Sequence, residues 1–270
     1  MKVAHWNVCL CRHEGCEEPD AAGPAAAAEW AARQRRVGER VLALDADVVS
    51  LVDVGYPDRV IEAVTPHGYS HVYAREAGGE GGVLVLFRRA RLRLTNMHVV
   101  ELSSDAFPAV ACVFVDSAGR VMVFAATRLD GAQDLKGALT TELRALLDML
   151  GAFEEMSGAW LTIVCAGLDA GPAAPMLGGV WEAGFSSALA LDDESRFTWY
   201  AMADDGGVDH GVADYILLRR ADRAPSTPAV AKWWWHAQVP PEAGSPVDDD
   251  EEGHVPIAAL IEPDAETTEK

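Results

Sequence analysis

Apolar residues along this chain follow two spacings, and the two alternate. KVAHWNV, starting at residue 2, is an apolar stretch of strand length. A loop rich in Gly, Ala and Pro follows to about residue 24. AAAAEWAARQRRVGERVLAL then places Val37, Val41, Leu42 and Leu44 on one side at helical spacing. ADVVSLVDV is a continuous apolar run, the pattern of a strand covered on both faces. RVIEAVTP predicts a short helix ending before Pro66. YSHVYARE and GGVLVLFRR predict two strands, with Gly78 to Gly82 turning between them.

The strand series continues through LRLTNMHVVEL, FPAVACVFVD and RVMVFAATRL. Asp116-Ser117-Ala118-Gly119 is a tight turn that makes the last two a hairpin. LKGALTTELRALLDMLGAFEEM is the second clear amphipathic helix, and WLTIVCAGL another buried strand. FTWYAM, VADYILLRR and HVPIAALIE complete the set. PPEAGSPVDDDEEG reads as a solvated acidic loop, and residues 263–270 as a frayed tail. Two main helices among about ten strands, many of them hairpin-linked, predict an α/β layered sandwich, not a doubly wound parallel sheet. No internal repeat is visible, and residues 1–262 read as a single domain.

Composition narrows the function classes. Half of the 270 residues are hydrophobic, enough for a sizeable core. The balance of 22 basic against 42 acidic residues gives a net charge of −20. Such a chain repels a polyanion at long range, so a small substrate or a protein partner is expected and long nucleic acid is disfavoured. No run of 18 apolar residues exists, so no transmembrane span is expected, and no signal peptide is read at the N-terminus. Of the five cysteines, Cys112 and Cys165 sit inside apolar runs as core thiols. A reduced, cytoplasmic protein is the expectation.

Six polar residues stand at strand ends, where a layered fold gathers its site: Asn7, Asp53, Arg128, Asp169, Asp214 and His254. Each also has an ordinary reading. Asn7 suits a turn, Asp53 a helix cap, His254 the surface. Their order and context carry more than any one of them. AHWNV looks like a "T/S-W-N" opening strand, and ALDADVVSLVDV like "D-P-D-I-V-x-L-Q-E-V". VFAATRLD resembles "v-x-N-T-H-L", and TIVCAGLDAGP resembles "v-I-L-x-G-D-F-N-A-x-P". FTWY, VADYILLRR and GHVPI look like "x-T-W", "r-I-D-Y-I-L" and "S-D-H-x-P-V". In this colinear order, over residues 2–261, the chain resembles the endonuclease/exonuclease/phosphatase superfamily, the fold of deoxyribonuclease I, abasic-site endonucleases, inositol phosphatases and neutral sphingomyelinases.

The resemblance implies a four-layer α-β-β-α sandwich of two mixed, mostly antiparallel sheets, with the site at the strand ends. It implies a divalent metal, Mg²⁺ or Mn²⁺, neutralising charge on a scissile phosphate. An Asp–His pair positions an imidazole there, and an Asp–Asn pair orients water or the transition state. Carried over residue by residue, Asn7, Arg128, Asp214 and His254 are the catalytic candidates, and Asp53 and Asp169 the metal ligands. The match is incomplete. Asp53 replaces the family Glu, Arg128 the mid-chain His, Gly167 the Asp of "G-D-F-N", Asp169 its Asn, and Gly253 the Asp of "S-D-H". The expected function is a metal-dependent phosphoesterase-like hydrolase with a reshaped site, acting on a small or lipid-like phosphate ester. The alternatives are a family-fold protein that has lost hydrolysis and binds a ligand or protein, or one with different chemistry in specialised metabolism.

Two further features lie outside that pattern. Cys9, Cys11, His13 and Cys16 have the ligand types of tetrahedral Zn²⁺, and two of the thiols suit a redox pair. Four ligands so close in sequence lack a second element to close around the ion, so reduced thiols in a loop beside the site are preferred. Trp233-Trp234-Trp235 suits either a substrate-stacking rim or packing at the sandwich edge.

Overall fold

A computed structural model describes residues 1–8, 24–77, 81–102, 108–129, 138–188, 198–202, 208–220, 230–235, 252–254 and 256–261. The chain begins with strand β1 (Lys2–Asn7), helix α1 (Pro24–Leu44), β2 (Val48–Val52) and α2 (Asp58–Val64). Strands β3 (Tyr69–Arg75), β4 (Gly82–Arg88), β5 (Leu92–Val100), β6 (Ala109–Asp116) and β7 (Val121–Arg128) follow as hairpins. Then come α3 (Ala138–Ser157), β8 (Leu161–Gly167), α4 (Met176–Glu182) and β9 (Ser186–Ser187). The chain closes with β10 (Trp199–Met202), β11 (Val208–Gly211), β12 (Asp214–Arg220), β13 (Val230–Trp235), β14 (Glu252–His254) and β15 (Ile257–Ile261).

The first six-stranded sheet has the order β13-β15-β1-β2-β4-β3, and the second β5-β6-β7-β8-β12-β9. Each contains one parallel pair, β1 with β2 and β7 with β8, and is otherwise antiparallel. Strand alternation sorts their side chains into three apolar layers. Val3, Val48, Val52 and Val85 of the first sheet meet Phe114, Phe124, Ile163 and Ile216 of the second in the central layer. Phe87 and Phe114 touch across it, with ring centroids 5.0 Å apart. The opposite residues of the first sheet, such as Ala4, Val49 and Leu84, pack under Val37, Val41 and Leu44 of α1 and Val60 of α2. Those of the second, such as Val123, Val164 and Leu217, pack under Leu143, Leu146 and Leu150 of α3 and Leu177 of α4. The result is the expected α-β-β-α sandwich.

Four elements depart from the sequence expectation. The α2 segment continues past Val64 in a 3₁₀ turn, Thr65–His67, because a proline is tolerated in the first turn of a new helical segment. The seven-residue α4 was not expected: Gly178 and Gly179 interrupt its short apolar stripe, yet Met176, Leu177 and Val180 are buried. The tryptophan run shows no alternation but forms β13, the edge strand beside β15. Its side chains lie outside the described residues. Finally, β11, β10 and β14 form a third, three-stranded sheet, which carries His254.

Candidate active site

Polarity in the central layer rises toward one end of the sandwich. Along β1, Val3, His5 and Asn7 face the second sheet while Ala4, Trp6 and Val8 face α1. Ser50 lies beside His5 in the parallel register, and its Oγ is 3.0 Å from His5 Nδ1. On the second sheet, Arg128 ends β7, Gly167 ends β8 and Asp214 begins β12. Register places all three in one row across the strands. A side chain at the middle position would crowd its neighbours. A Cβ on Gly167 would lie 3.2 Å from Asp214 Oδ1, and 3.7 Å from both Arg128 Cγ and Asn7 Nδ2. The missing side chain at Gly167 therefore leaves the space in which the residues of the two sheets meet.

The acids beside this row sit on sharp turns. Asp53 follows β2 with φ 61°, and Asp169 lies two residues past β8 with φ 44°. This left-handed conformation is uncommon outside glycine, and Asp tolerates it better than most residues. Side chains from other elements brace both turns. Gln34 Nε2 on α1 donates to the carbonyls of Gly55, at 2.8 Å, and Tyr56, and Tyr73 OH donates to the Val54 carbonyl at 3.0 Å. Tyr215 OH donates to the Ala170 carbonyl at 2.6 Å, beside Asp169.

Between the two turns stands Arg128. Its Nη1 donates to Asp53 Oδ2 at 2.8 Å and its Nη2 to Asp169 Oδ2 at 3.1 Å. Arg128 and Asp53 are 2% and 1% exposed, whereas Asp169 is 22% exposed and borders solvent. A guanidinium stays protonated at any working pH, and its flat fork suits two carboxylates at once.

Across the row, His254 completes an acid–imidazole dyad. Its Nδ1 donates to Asp214 Oδ2 at 2.6 Å, and its Nε2 lies 3.5 Å from Asn7 Nδ2. The ring is 14% exposed, more accessible than Asp214 at 1%. Trp6 Nε1 donates to the His254 carbonyl at 2.9 Å, tying β14 to the first sheet. Thr198 Oγ1 accepts from the backbone N–H groups of Ala213, at 2.8 Å, and Asp214, at 2.9 Å, fixing the start of β12. Burial disfavours charge on Asp214, but the His254 imidazole, its hydrogen bond and the nearby His5 ring outweigh it. They hold the carboxyl well below the usual carboxylate range.

All six expected residues thus converge, in two groups: Asn7–His254–Asp214 and Asp53–Arg128–Asp169. Three supporting residues were not expected from the sequence. His5, fully buried, has Nε2 3.5 Å from Asp214 Oδ1, so two imidazoles flank this carboxylate. Its signal was present, since alternation from Asn7 puts it on the same face. Ser50 and Thr198 gave none, because nothing in a linear reading distinguishes them from ordinary buried hydroxyls.

The expected metal site differs. Among the described residues, no group of three or more His, Cys, Asp or Glu is arranged to hold a metal ion. The sequence reading put Mg²⁺ or Mn²⁺ on Asp53 and Asp169, but Arg128 already bridges these carboxylates. A divalent ion on Asp53 would sit against a buried cation, so the donors in this arrangement do not fit one. Cys9, Cys11, His13 and Cys16, the residues of the zinc reading, lie outside the described residues. So do the acidic stretch at 248–251 and the 263–270 tail. Among the described residues no helix is long and apolar enough to cross a membrane.

No family model and no curated protein matches the chain. Solved structures do. TDP2 of D. rerio, complexed with single-strand DNA product, is 17% identical with a TM-score of 0.69; the match covers 97% of this chain and 99% of that one. ANGEL2, a 2',3'-cyclic phosphatase, is 14% identical with a TM-score of 0.70, covering 96% and 93%. The Bacteroides thetaiotaomicron mannosyl-6-phosphatase Bt3783 is 14% identical with a TM-score of 0.66, covering 97% and 100%. These neighbours are endonuclease/exonuclease/phosphatase proteins, and at such identities they establish that this chain has the fold of that superfamily.

Proposed function

We propose that this protein is a phosphoesterase-like hydrolase acting on a small phosphate ester. The observation that carries this reading is the Asp214–His254 hydrogen bond of 2.6 Å, with His254 Nε2 beside Asn7. With Nδ1–H given to Asp214, the neutral ring keeps its lone pair on Nε2. There it accepts a proton from a water molecule as the water oxygen bonds to phosphorus. The ester P–O bond breaks, and the departing alkoxide takes a proton from solvent. Asp214 fixes the tautomer and stabilises the imidazolium that forms. The phosphatase names of two fold neighbours lend support.

Charge selects among phosphates. Among the described residues the site holds three carboxylates, Asp53, Asp169 and Asp214, and the guanidinium of Arg128. A singly charged phosphodiester is repelled less than a doubly charged monoester, and a long polyanion is opposed further by the net charge of −20. We therefore favour a small or lipid-like phosphodiester. The second reading, a ligand-binding protein that has lost hydrolysis, draws on Gly167, which replaces the carboxylate expected from the family pattern.

Hydrolysis of bis-p-nitrophenyl phosphate tests the proposal, run without added metal and with Mg²⁺ or Mn²⁺. Turnover that falls by about 10²-fold or more in His254→Ala supports it. Turnover unaffected by that change defeats the role given to His254, and none under any condition defeats the hydrolase and leaves the binding reading.

A further inference from the structure

We infer that Arg128 is the resident cation of this site, holding Asp53 and Asp169 in the role a divalent metal ion would otherwise fill. The inference deepens the phosphoester reading, but its evidence is geometric. Three independent features of the chain converge on it. The guanidinium contacts one carboxylate from each sheet's turn, at 2.8 and 3.1 Å, so it bridges the two halves of the sandwich. Arg128 is among the largest fully buried side chains, which means the fold was closed around it. Gly167, its neighbour in the row, adds no side chain to this space; a Cβ there would press on Asp214 Oδ1, at 3.2 Å, and come into ordinary contact with Arg128 Cγ, at 3.7 Å.

Charge then explains why an ion and this arginine are alternatives. A divalent ion at Asp53 Oδ2 would lie within a few ångströms of a permanent positive charge. Coulomb repulsion at that distance strongly opposes occupancy. The arginine must leave its buried place before the ion enters. The left-handed turns that aim Asp53 and Asp169 inward serve the guanidinium instead. The site therefore needs no divalent ion for its structure, and its cation is not exchangeable.

The test reads metal binding, not turnover. Chelator-treated full-length protein is titrated with Mn²⁺, followed by the electron paramagnetic resonance of free Mn²⁺ and by melting temperature. We expect no saturable stoichiometric site in the wild type. Arg128→Ala, which removes the guanidinium from between the two carboxylates, should bind one Mn²⁺ at least about tenfold more tightly and gain a Mn²⁺-dependent rise in melting temperature. Arg128→His, a smaller change in polarity, carries the same expectation should the alanine variant fail to fold. One Mn²⁺ bound tightly by the wild type and lost in Asp53→Asn would overturn the inference, as would a folded Arg128 variant with no gain. Chelator-insensitive turnover of bis-p-nitrophenyl phosphate would agree with it. Absence of all turnover would count against the hydrolase reading while leaving the Mn²⁺ result to decide this one.

Discussion

Replacing Asp214 with Asn separates the chemistry of the dyad from its contribution to stability. The change is nearly isosteric, so the central layer keeps its packing. In the native site Asp214 is fully buried, with Oδ2 2.6 Å from His254 Nδ1 and Oδ1 3.5 Å from His5 Nε2. The variant loses a charge-assisted hydrogen bond worth about 1.5–3 kcal/mol. It also no longer confines a carboxylate away from water, which offsets much of that loss. The net stability change should be within about 2 kcal/mol, a melting shift of at most roughly 4–8 °C for a chain of this size. Catalysis suffers more. An amide N–H facing Nδ1 forces the proton onto Nε2, where the lone pair is needed. The tautomer change costs on the order of 10³–10⁴ in kcat, or about 4–5.5 kcal/mol of barrier. The pH dependence has a definite sign. Asp214 titrates lower in the folded than in the unfolded chain. Its stabilisation is therefore complete above the ordinary carboxylate range and is lost as pH falls through the depressed folded-state value. The part of the melting-temperature gap between wild type and Asp214→Asn that comes from the carboxylate's own titration should change only in acid below the ordinary carboxylate range. Turnover of bis-p-nitrophenyl phosphate and thermal melts on the same preparations are the assays. A folded Asp214→Asn protein that keeps more than about a tenth of wild-type turnover would refute the dyad's role.

Two other perturbations follow from the same geometry. Arg128→Met should lower stability by about 3–5 kcal/mol, because it removes the buried ion pair that Arg128 makes with Asp53, and adding Asp53→Asn should recover a large part of that; equilibrium denaturation of the two variants checks the coupling. Cys112, whose thiol burial pushes up to about 12, and Cys165, which burial raises well above its ordinary value, should stay silent to a thiol reagent at about pH 8 and react only in denaturant.

The layers were legible in the sequence because both faces of each sheet are covered. Runs such as VVSLV and LTIVCAG carry no charged residue and are buried throughout, and helices α1 and α3 show a stripe wide enough to read. Elements with little apolar surface of their own were not legible. Helix α4 is seven residues long with two glycines, and β13 is specified by its pairing with β15, not by alternation. The site divides in the same way. Asn7, Asp214 and His254 were readable because each ends or begins a strand within a recognisable pattern. The partnership of Arg128 with both Asp53 and Asp169 was not, since it depends on the register that sets Arg128 beside Gly167 and on two left-handed turns. The resemblance made the two aspartates candidates for metal ligands; their hydrogen bonds to the guanidinium could not be read from it.

The central claim is that strands of three sheets, β1, β12 and β14, bring Asn7, Asp214 and His254 together as a phosphate-binding, proton-accepting site. Histidine side-chain NMR of ¹⁵N-labelled protein, with and without orthovanadate as a phosphate mimic, tests it most directly. The account predicts that His254 holds its proton on Nδ1, that this signal disappears in Asp214→Asn, and that vanadate shifts the His254 ring while the exposed His67 and His71 stay unmoved. A His254 ring protonated only on Nε2, or one that vanadate leaves unchanged at saturating concentration, would contradict it.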